Sequence, residues 1–263
     1  MSRWIPRTAL LAARLERLRR WCGAALLTGL MPLGTQAASM HVAPLRLDLG
    51  PQRPVASLII GNPEQVEIAV QAEAVAWTQT DGKDVYTPTR EVLINPSIFR
   101  IPAGGQQIVR VGLQVGTDAT ERSYRVFVRQ LPQERAAGQG MGLQTLLRIG
   151  IPIFVAAAAP AEALEWRLLP RTGGGYELMI DNRGTSHVQI TSFVVRQGNG
   201  TELLRKNVSH YVLGGKSAPI VLDTAELPGL APDAALRIEA VAAGDRALPP
   251  IVLRVPHAPA AAR

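Results

Sequence analysis

The chain has 263 residues, 47% of them hydrophobic and 19% charged, with 28 basic against 21 acidic side chains. That composition excludes a disordered polymer, and the net charge of +7 is concentrated at one end. Ser2 to Arg20 holds six arginines and one acid, Glu16, which leaves 22 basic and 20 acidic residues for the rest. No basic stretch interleaved with aromatics survives that correction, so a nucleic-acid surface is excluded.

The basic segment is followed by an apolar run, Ala24 to Leu33, and then by Thr35-Gln36-Ala37-Ala38. A basic region, a short apolar region and small residues in that order make a secretory signal peptide over residues 1–37, cleaved near Ala37 or Ala38. The apolar run is too short to cross a bilayer as a helix, which takes about 20 residues. Cys22, the only cysteine, lies inside this leader and ahead of the apolar run, so it is not placed like a lipoprotein cysteine. The exported part then has no disulfide in a compartment that permits one, and its stability rests on buried apolar cores. Residues 38–263 suffice for two cores of about 100 residues each.

In chain order, Met40 to Leu49 alternates loosely and carries Arg46, and Val55 to Ile60 is an apolar strand stopped by Gly61-Asn62-Pro63. Gln65 to Trp77 alternates with Val66, Ile68, Val70, Ala72, Ala74 and Ala76 on one parity, and Thr80-Asp81-Gly82-Lys83 is a turn. Val92 to Ile94 runs into Asn95-Pro96. Gln107 to Val115 and Tyr124 to Leu131 alternate again, the latter with Arg125, Phe127, Arg129 and Leu131 on one parity. Gln133 to Gly140 reads as a polar loop. Met141 to Val155 then places Met141, Leu143, Thr145, Leu147, Ile149, Ile151 and Ile153 on a single face, so it is a long strand with one side almost wholly apolar. Such a face suits two uses: a core strand of its own sandwich, or a strand lent to another protein. Seven short strands with turns between them and no amphipathic helix fit an Ig-like antiparallel sandwich.

Ala156 to Pro160 reads as a joint. Beyond it the style repeats: Leu164 to Leu169, Tyr176 to Ile180, His187 to Val195, Tyr211 to Leu213, Pro219 to Leu222, Ala235 to Val241 and Ile251 to Val255 are strands, with turns at Gly173-Gly174-Gly175 and Gly198-Asn199-Gly200. The tail from Pro256 reads as frayed. The fold class is therefore all-β, with a signal peptide over 1–37, one Ig-like domain over 38–157 and a second over 158–263.

Catalytic chemistry is missing from this pattern. His41, His187, His210 and His257 are scattered without ligand spacing, which argues against a metal site, and His187 reads as a surface or edge residue. Gly215-Lys216-Ser217 has His210 where a phosphate loop needs its first glycine. Gly138-Gln139-Gly140-Met141-Gly142 has Leu143 at the last glycine position of a dinucleotide motif and no βαβ unit around it. There is no nucleophile elbow and no cofactor signature, so the chain reads as a non-enzyme.

Several phrases carry a resemblance. Ile94-Asn95-Pro96-Ser97-Ile98-Phe99-Arg100-Ile101-Pro102-Ala103-Gly104, with Gln107-Ile108-Val109-Arg110-Val111 after it, is one. Glu121 to Pro132, Pro44-Leu45-Arg46-Leu47 and Asn62-Pro63 are others, and in the second half Trp166, Asn182, His187-Val188 and Tyr211-Val212-Leu213-Gly214-Gly215. In order and spacing they resemble the periplasmic pilus chaperones of the chaperone–usher family across nearly all of residues 38–263. The resemblance implies a boomerang of two Ig-like domains that binds pilus, fimbrial or coat subunits by donor-strand complementation and delivers them to an outer-membrane usher. It implies a periplasmic protein with no stable membrane insertion after leader cleavage. The donor residues it implies are Met141, Leu143, Thr145, Leu147 and Ile149, with Ile151 and Ile153 kept for the chain's own core. Arg46 matches the first of two basic residues that hold the subunit's terminal carboxylate. Gly150 stands where the family has the second, a lysine, and Arg148 is the candidate replacement. Arg110 and Glu121 match an internal ionic network between the domains. Pro152-Ile153-Phe154-Val155 replaces the usual aromatic ending, as in the divergent branch that builds thin or coat-like structures. The competing readings are a secreted Ig-like structural or adhesive protein that keeps its strand, and a carbohydrate-active enzyme of sandwich fold.

Overall fold

Strand parity decides where each residue of this molecule goes. The computed structural model describes residues 39–132, 145–227 and 229–256; the leader, Cys22, the loop 133–140, Met141, Leu143, His257 and the tail from 257 lie outside them. All described elements are strands.

The first half contains β1 (His41–Ala43), β2 (Leu47–Leu49), β3 (Val55–Gly61), β4 (Ile68–Thr80), β5 (Lys83–Pro88), β6 (Val92–Asn95), β7 (Ile98–Ile101), β8 (Gln106–Leu113), β9 (Arg122–Gln130) and β10 (Arg148–Val155). One sheet has the order β1-β3-β8-β6. The facing sheet has the order β2-β10-β9-β4-β5, with β7 also on β4. The pairings are antiparallel except that of β2 with β10, which is parallel. Between the sheets Leu58, Ile60, Ile68, Val70, Val109, Val111, Val126, Val128, Ile151 and Ile153 lose essentially all contact with water. Three short strands were not anticipated. The expected strand Met40 to Leu49 is divided into β1 and β2, with a cis peptide bond at Ala43-Pro44. β5 and β7 supply the others.

The second half contains β11 (Leu164–Pro170), β12 (Tyr176–Asn182), β13 (Val188–Gln197), β14 (Glu202–Val212), β15 (Ser217–Leu222), β16 (Ala235–Ala242), β17 (Arg246–Ala247) and β18 (Ile251–Arg254). A sheet β11-β12-β15 faces a sheet β14-β13-β16-β17, with β18 also on β16. Its core is built on Leu178, Ile180, Ile190, Phe193, Val195, Val212, Leu236 and Ile238. Two sandwiches are the stable solution for strands that are apolar on one face only.

The halves share a polar device. Asn62 is buried; its Nδ2 donates to the carbonyls of Val66, Ile101 and Pro102, and its Oδ1 accepts from the Glu64 amide. Asn182, also buried, donates to the carbonyls of Ser186 and Val212 and accepts from the Gly184 amide. Each asparagine ties a strand end to a remote strand, satisfying backbone groups that water cannot reach.

β4 and β10 are inserted deeper than a sandwich strand needs to be. On β4 the buried residues are Ile68, Val70 and Ala72 at first, then Val75, Trp77 and Gln79 on the other parity. On β10, Ile151, Ile153 and Val155 face the first core while Pro152 and Phe154 are buried on the opposite side. What buries that opposite side is the second half: Trp77 and Phe154 form one apolar cluster with Tyr211 and Leu213. At the turn Asp81-Gly82, whose residues both have φ > 0, the chain makes the tight hairpin such a pair favours. A Cβ on Gly82 would stand 2.3 Å from Pro219 Cδ, so only glycine lets this hairpin pack on β15.

Candidate functional site

β10 is paired unevenly along its length. It pairs with β9 over Arg148–Val155 but with β2 only over residues 153–155. The Leu147 carbonyl accepts from the Gln130 amide, so in the antiparallel ladder the odd residues of this segment bond to β9 and the even ones turn their backbone the other way. Arg148 and Gly150 therefore present N–H and C=O groups to an edge with no strand on it among the described residues. Pro152, next in that row, has no N–H to present. From Arg148 to Pro152 this open edge spans about 13 Å at strand spacing, and β2 begins where it stops.

The side chains beside this edge continue the core parity. Thr145 is exposed, and Leu147 and Ile149 are half-buried against the first core. Thus of the five residues expected to be donated, three are seen, on one face and leading into Ile151; Met141 and Leu143 lie outside the described residues. The strand itself starts at Arg148, not at Met141.

Below the edge, between the halves, is a cleft lined by Arg46, Gln79, Lys83, Asp84, Arg125, Gly150, Pro152, Gln189, Ser209, His210 and Tyr211, among others. Its lining carries three cations and one acid. Arg46, just before β2, is bonded through Nε and Nη2 to Asp48 (2.7–3.1 Å) and stands 5.3 Å from the Phe154 ring. Arg125, on β9, lies 4.0 Å over the Trp77 ring. Its Nη1 donates to the Tyr86 hydroxyl at 2.6 Å and is 3.6 Å from Asp84 Oδ2. Tyr86 in turn donates to Asp84. Burial first, and the Asp84 hydrogen bond second, push the Tyr86 hydroxyl up to about 12, so it stays a neutral donor at ordinary pH. Burial pushes His210 below its ordinary value and raises Tyr211.

Arg148 shares the cleft parity with Gly150, but its guanidinium is stacked 3.7 Å over Phe127 and is not part of the cleft lining. Arg125, Lys83 and Gln79 were not singled out in the sequence. Their signal appears only once β9 is known to lie beside β10, because the register puts Arg125 opposite Pro152 and Phe127 opposite Gly150.

Two further expectations are corrected. His187 is not a surface residue: its side chain is 8% exposed, its ring is stacked 3.5 Å from Phe154, and its Nδ1 is 2.7 Å from Glu121 Oε1. The partner of Glu121 is thus His187 of the second half, whose amide it also accepts. Arg110 is exposed on β8 and makes no ion pair among the described residues, because its row on the outer sheet face pairs with Ser57 and Asn95. Among the described residues no group of three or more His, Cys, Asp or Glu could hold a metal ion.

Residues 39–160 match the family model of the pili and flagellar-assembly chaperone, PapD N-terminal domain. The fold is that of solved pilus chaperones. A chain of the CsuC–CsuE chaperone–tip adhesion subunit complex of the archaic chaperone–usher Csu pili of Acinetobacter baumannii is 20% identical, at a TM-score of 0.61 over 82% of this chain and 98% of that one. A chain of the Salmonella enterica SafA pilin–SafB chaperone complex is 17% identical, at 0.56 over 84% and 98%. The E. coli chaperone DraB is 17% identical, at 0.54 over 82% and 95%. No curated protein matches the chain.

Proposed function

We propose that this chain, whose residues 39–160 match the family model of pili and flagellar-assembly chaperones, binds pilus subunits in the periplasm by lending them strand β10. The observation that carries the reading is the edge from Arg148 to Pro152, which pairs with no strand among the described residues, with backbone donors at Arg148 and Gly150 turned toward it and an apolar face beside them. A subunit strand added there gains main-chain hydrogen bonds for affinity and alternate side-chain contacts for register. A guest with an unpaired edge of its own is protected from aggregation while it is bound.

Met141, Leu143, Thr145, Leu147 and Ile149 are the donor residues of this reading. Each apolar one contributes about 1.5–3 kcal/mol if fully buried, an upper bound before the entropy of association. Arg46 with a second cleft cation holds the subunit's terminal carboxylate. Residues 1–37 act as a cleaved leader, 38–157 and 158–263 as the two domains, and an outer-membrane usher as the acceptor of the loaded chain. The chemistry is binding, not catalysis. The half-burial of Leu147 and Ile149 against the first core favours the second reading, a secreted Ig-like structural or adhesive protein whose strand serves only itself.

Pull-down of the tagged chain from native periplasm separates the two. An Ig-like subunit in one-to-one complex, lost on Leu147→Asp, is expected. Arg148→Pro removes only an outward-facing N–H, which an edge strand tolerates, so it lowers capture while Arg148→Ala keeps it. A chain that returns alone, with Leu147→Asp merely unfolding it, supports the structural reading and ends the chaperone one.

A further inference from the structure

We propose that Gln130 keeps Leu147 available to a guest: by ending the first core on a buried side-chain amide, it prevents Leu147 from being sealed into the chain's own sandwich. The role is one of positioning, exerted through Leu147, and it rests on the strand-lending reading.

The rows of side chains across the sheet locate the end of the core. Along β9 the core parity is Tyr124, Val126, Val128 and Gln130. The first three stand opposite Ile153, Ile151 and Ile149 of β10 on one side. On the other side they meet Ala76, Ala74 and Ala72 of β4, so these rows are apolar from strand to strand. One step further, the Gln130 backbone N–H donates to the Leu147 carbonyl at 2.9 Å, and Val70 of β4 is its other neighbour. This row has a polar side chain in its middle, although Gln130 is only 7% exposed. Leu147 beside it is half-buried, and Thr145 beyond is exposed. β2 thus fixes where the backbone edge of β10 opens, and Gln130 fixes where its apolar face leaves the core.

This amide does not serve to hold the backbone. The other buried side-chain amides among the described residues, Asn62, Asn182 and Gln79, each accept a backbone N–H through their oxygen. Gln130 Oε1 is buried and accepts none. A buried acceptor without a donor costs stability, whereas an apolar side chain of the same shape does not. For a strand that serves only its own core, an apolar residue would be the better one here. A strand that is lent gains from the opposite choice. The less Leu147 contributes to its own core, the more of its burial is left to be gained in the complex, because binding reads only the difference between the two states. Stability given up at a functional position is the usual form of such a compromise.

The test is Gln130→Met, which keeps the length of the side chain and removes the acceptor, with Gln130→Leu as a second apolar variant of different shape. Three quantities are read on the mature chain. They are the denaturation midpoint, the relaxation of the Leu147 methyl resonances by a gadolinium chelate in the solvent, and the affinity for a capped octapeptide of alternating valine and threonine. That peptide is a strand able to add to the open edge beside Leu147. Gln130→Met should raise the midpoint, shield the Leu147 methyls from the chelate and weaken peptide binding about tenfold, the size expected from relieving one unpaired buried acceptor in the free chain alone. A glutamine with a merely structural role would give stability and affinity that fall together. Leu147→Ala should itself bind weakly, and adding Gln130→Met to it should change the affinity no further, since the effect runs through Leu147. A lower midpoint in both apolar variants, or an unchanged peptide affinity, overturns the assignment and leaves strand lending in place. If the unaltered chain binds no peptide, the strand-lending reading falls and takes this inference with it.

Discussion

At the scale of single residues, His210 shows how burial and function meet in the cleft wall. It lies on β14 opposite Ile190, its Nε2 is buried without a partner, and burial depresses its proton affinity despite the Ala218 backbone contact and the nearby Asp84. A histidine whose folded value is lowered contributes stability that is complete above its unfolded value of 6.5. That contribution is lost as the pH falls from there through the folded value, because the unfolded chain takes up the proton first. Denaturant titrations between pH 8 and pH 5 should therefore show the native chain weakening on acidification. His210→Gln, which has no proton to gain, should show a shallower fall. Equal slopes for the two would place the acid sensitivity elsewhere. His210 was visible in the sequence only as one scattered histidine, since its neighbours across the cleft come from β5 and β15, far away along the chain.

Among the elements, β10 does two tasks along one run of alternating residues. Ile151, Ile153 and Val155 are core, Leu147 and Ile149 only half-buried, and Thr145 exposed. The parity of this strand was plain in the sequence, as was that of β3, β8, β9, β13 and β16, because each has one buried face and one wet one. The strands that escaped notice are those without a fully buried face. β5 has no buried residue, and β14, read only over its last residues, carries Arg205 and Lys206 and is half-exposed along both parities until Val212. Edge strands do not show the alternation on which a sequence reading depends. Where β10 changes task could not be read either, because it is set by where β2 begins its pairing, opposite Ile153. The change predicts separable effects. Ile153→Ala should cost about 2–5 kcal/mol of stability while the surviving folded fraction still captures subunit. Thr145→Asp should leave the melting curve in place and weaken capture. A Thr145→Asp chain that captures subunit normally would confine the lent face to residues beyond it.

On the scale of the whole molecule, the question is whether the two sandwiches act as one body. The joint at Ala156 to Pro160 suggested a hinge, but the contacts on either side of it are unusually specific. Gln79 is 6% exposed, and its side-chain amide imitates a strand residue: Nε2 donates to the Tyr211 carbonyl at 2.8 Å and Oε1 accepts from the Leu213 amide at 3.0 Å. On the other flank Glu121 accepts from both the amide and the ring of His187, and its own amide donates to the Thr185 carbonyl. Between these clamps Trp77 and Phe154 pack on Tyr211. Both clamps leave buried backbone groups unpaired if their side chains are removed, at about 1–3 kcal/mol for each group. The cleft cations depend on this junction, since Arg125 rests on Trp77 and Arg46 stands over Phe154. The native chain should therefore unfold in one calorimetric transition. Gln79→Ala with Glu121→Ala should divide it into two, one for each core, and should reduce subunit capture although neither side chain borders the open edge. A double variant that still melts as one unit would mean that the apolar cluster alone couples the halves and that the polar clamps only orient them.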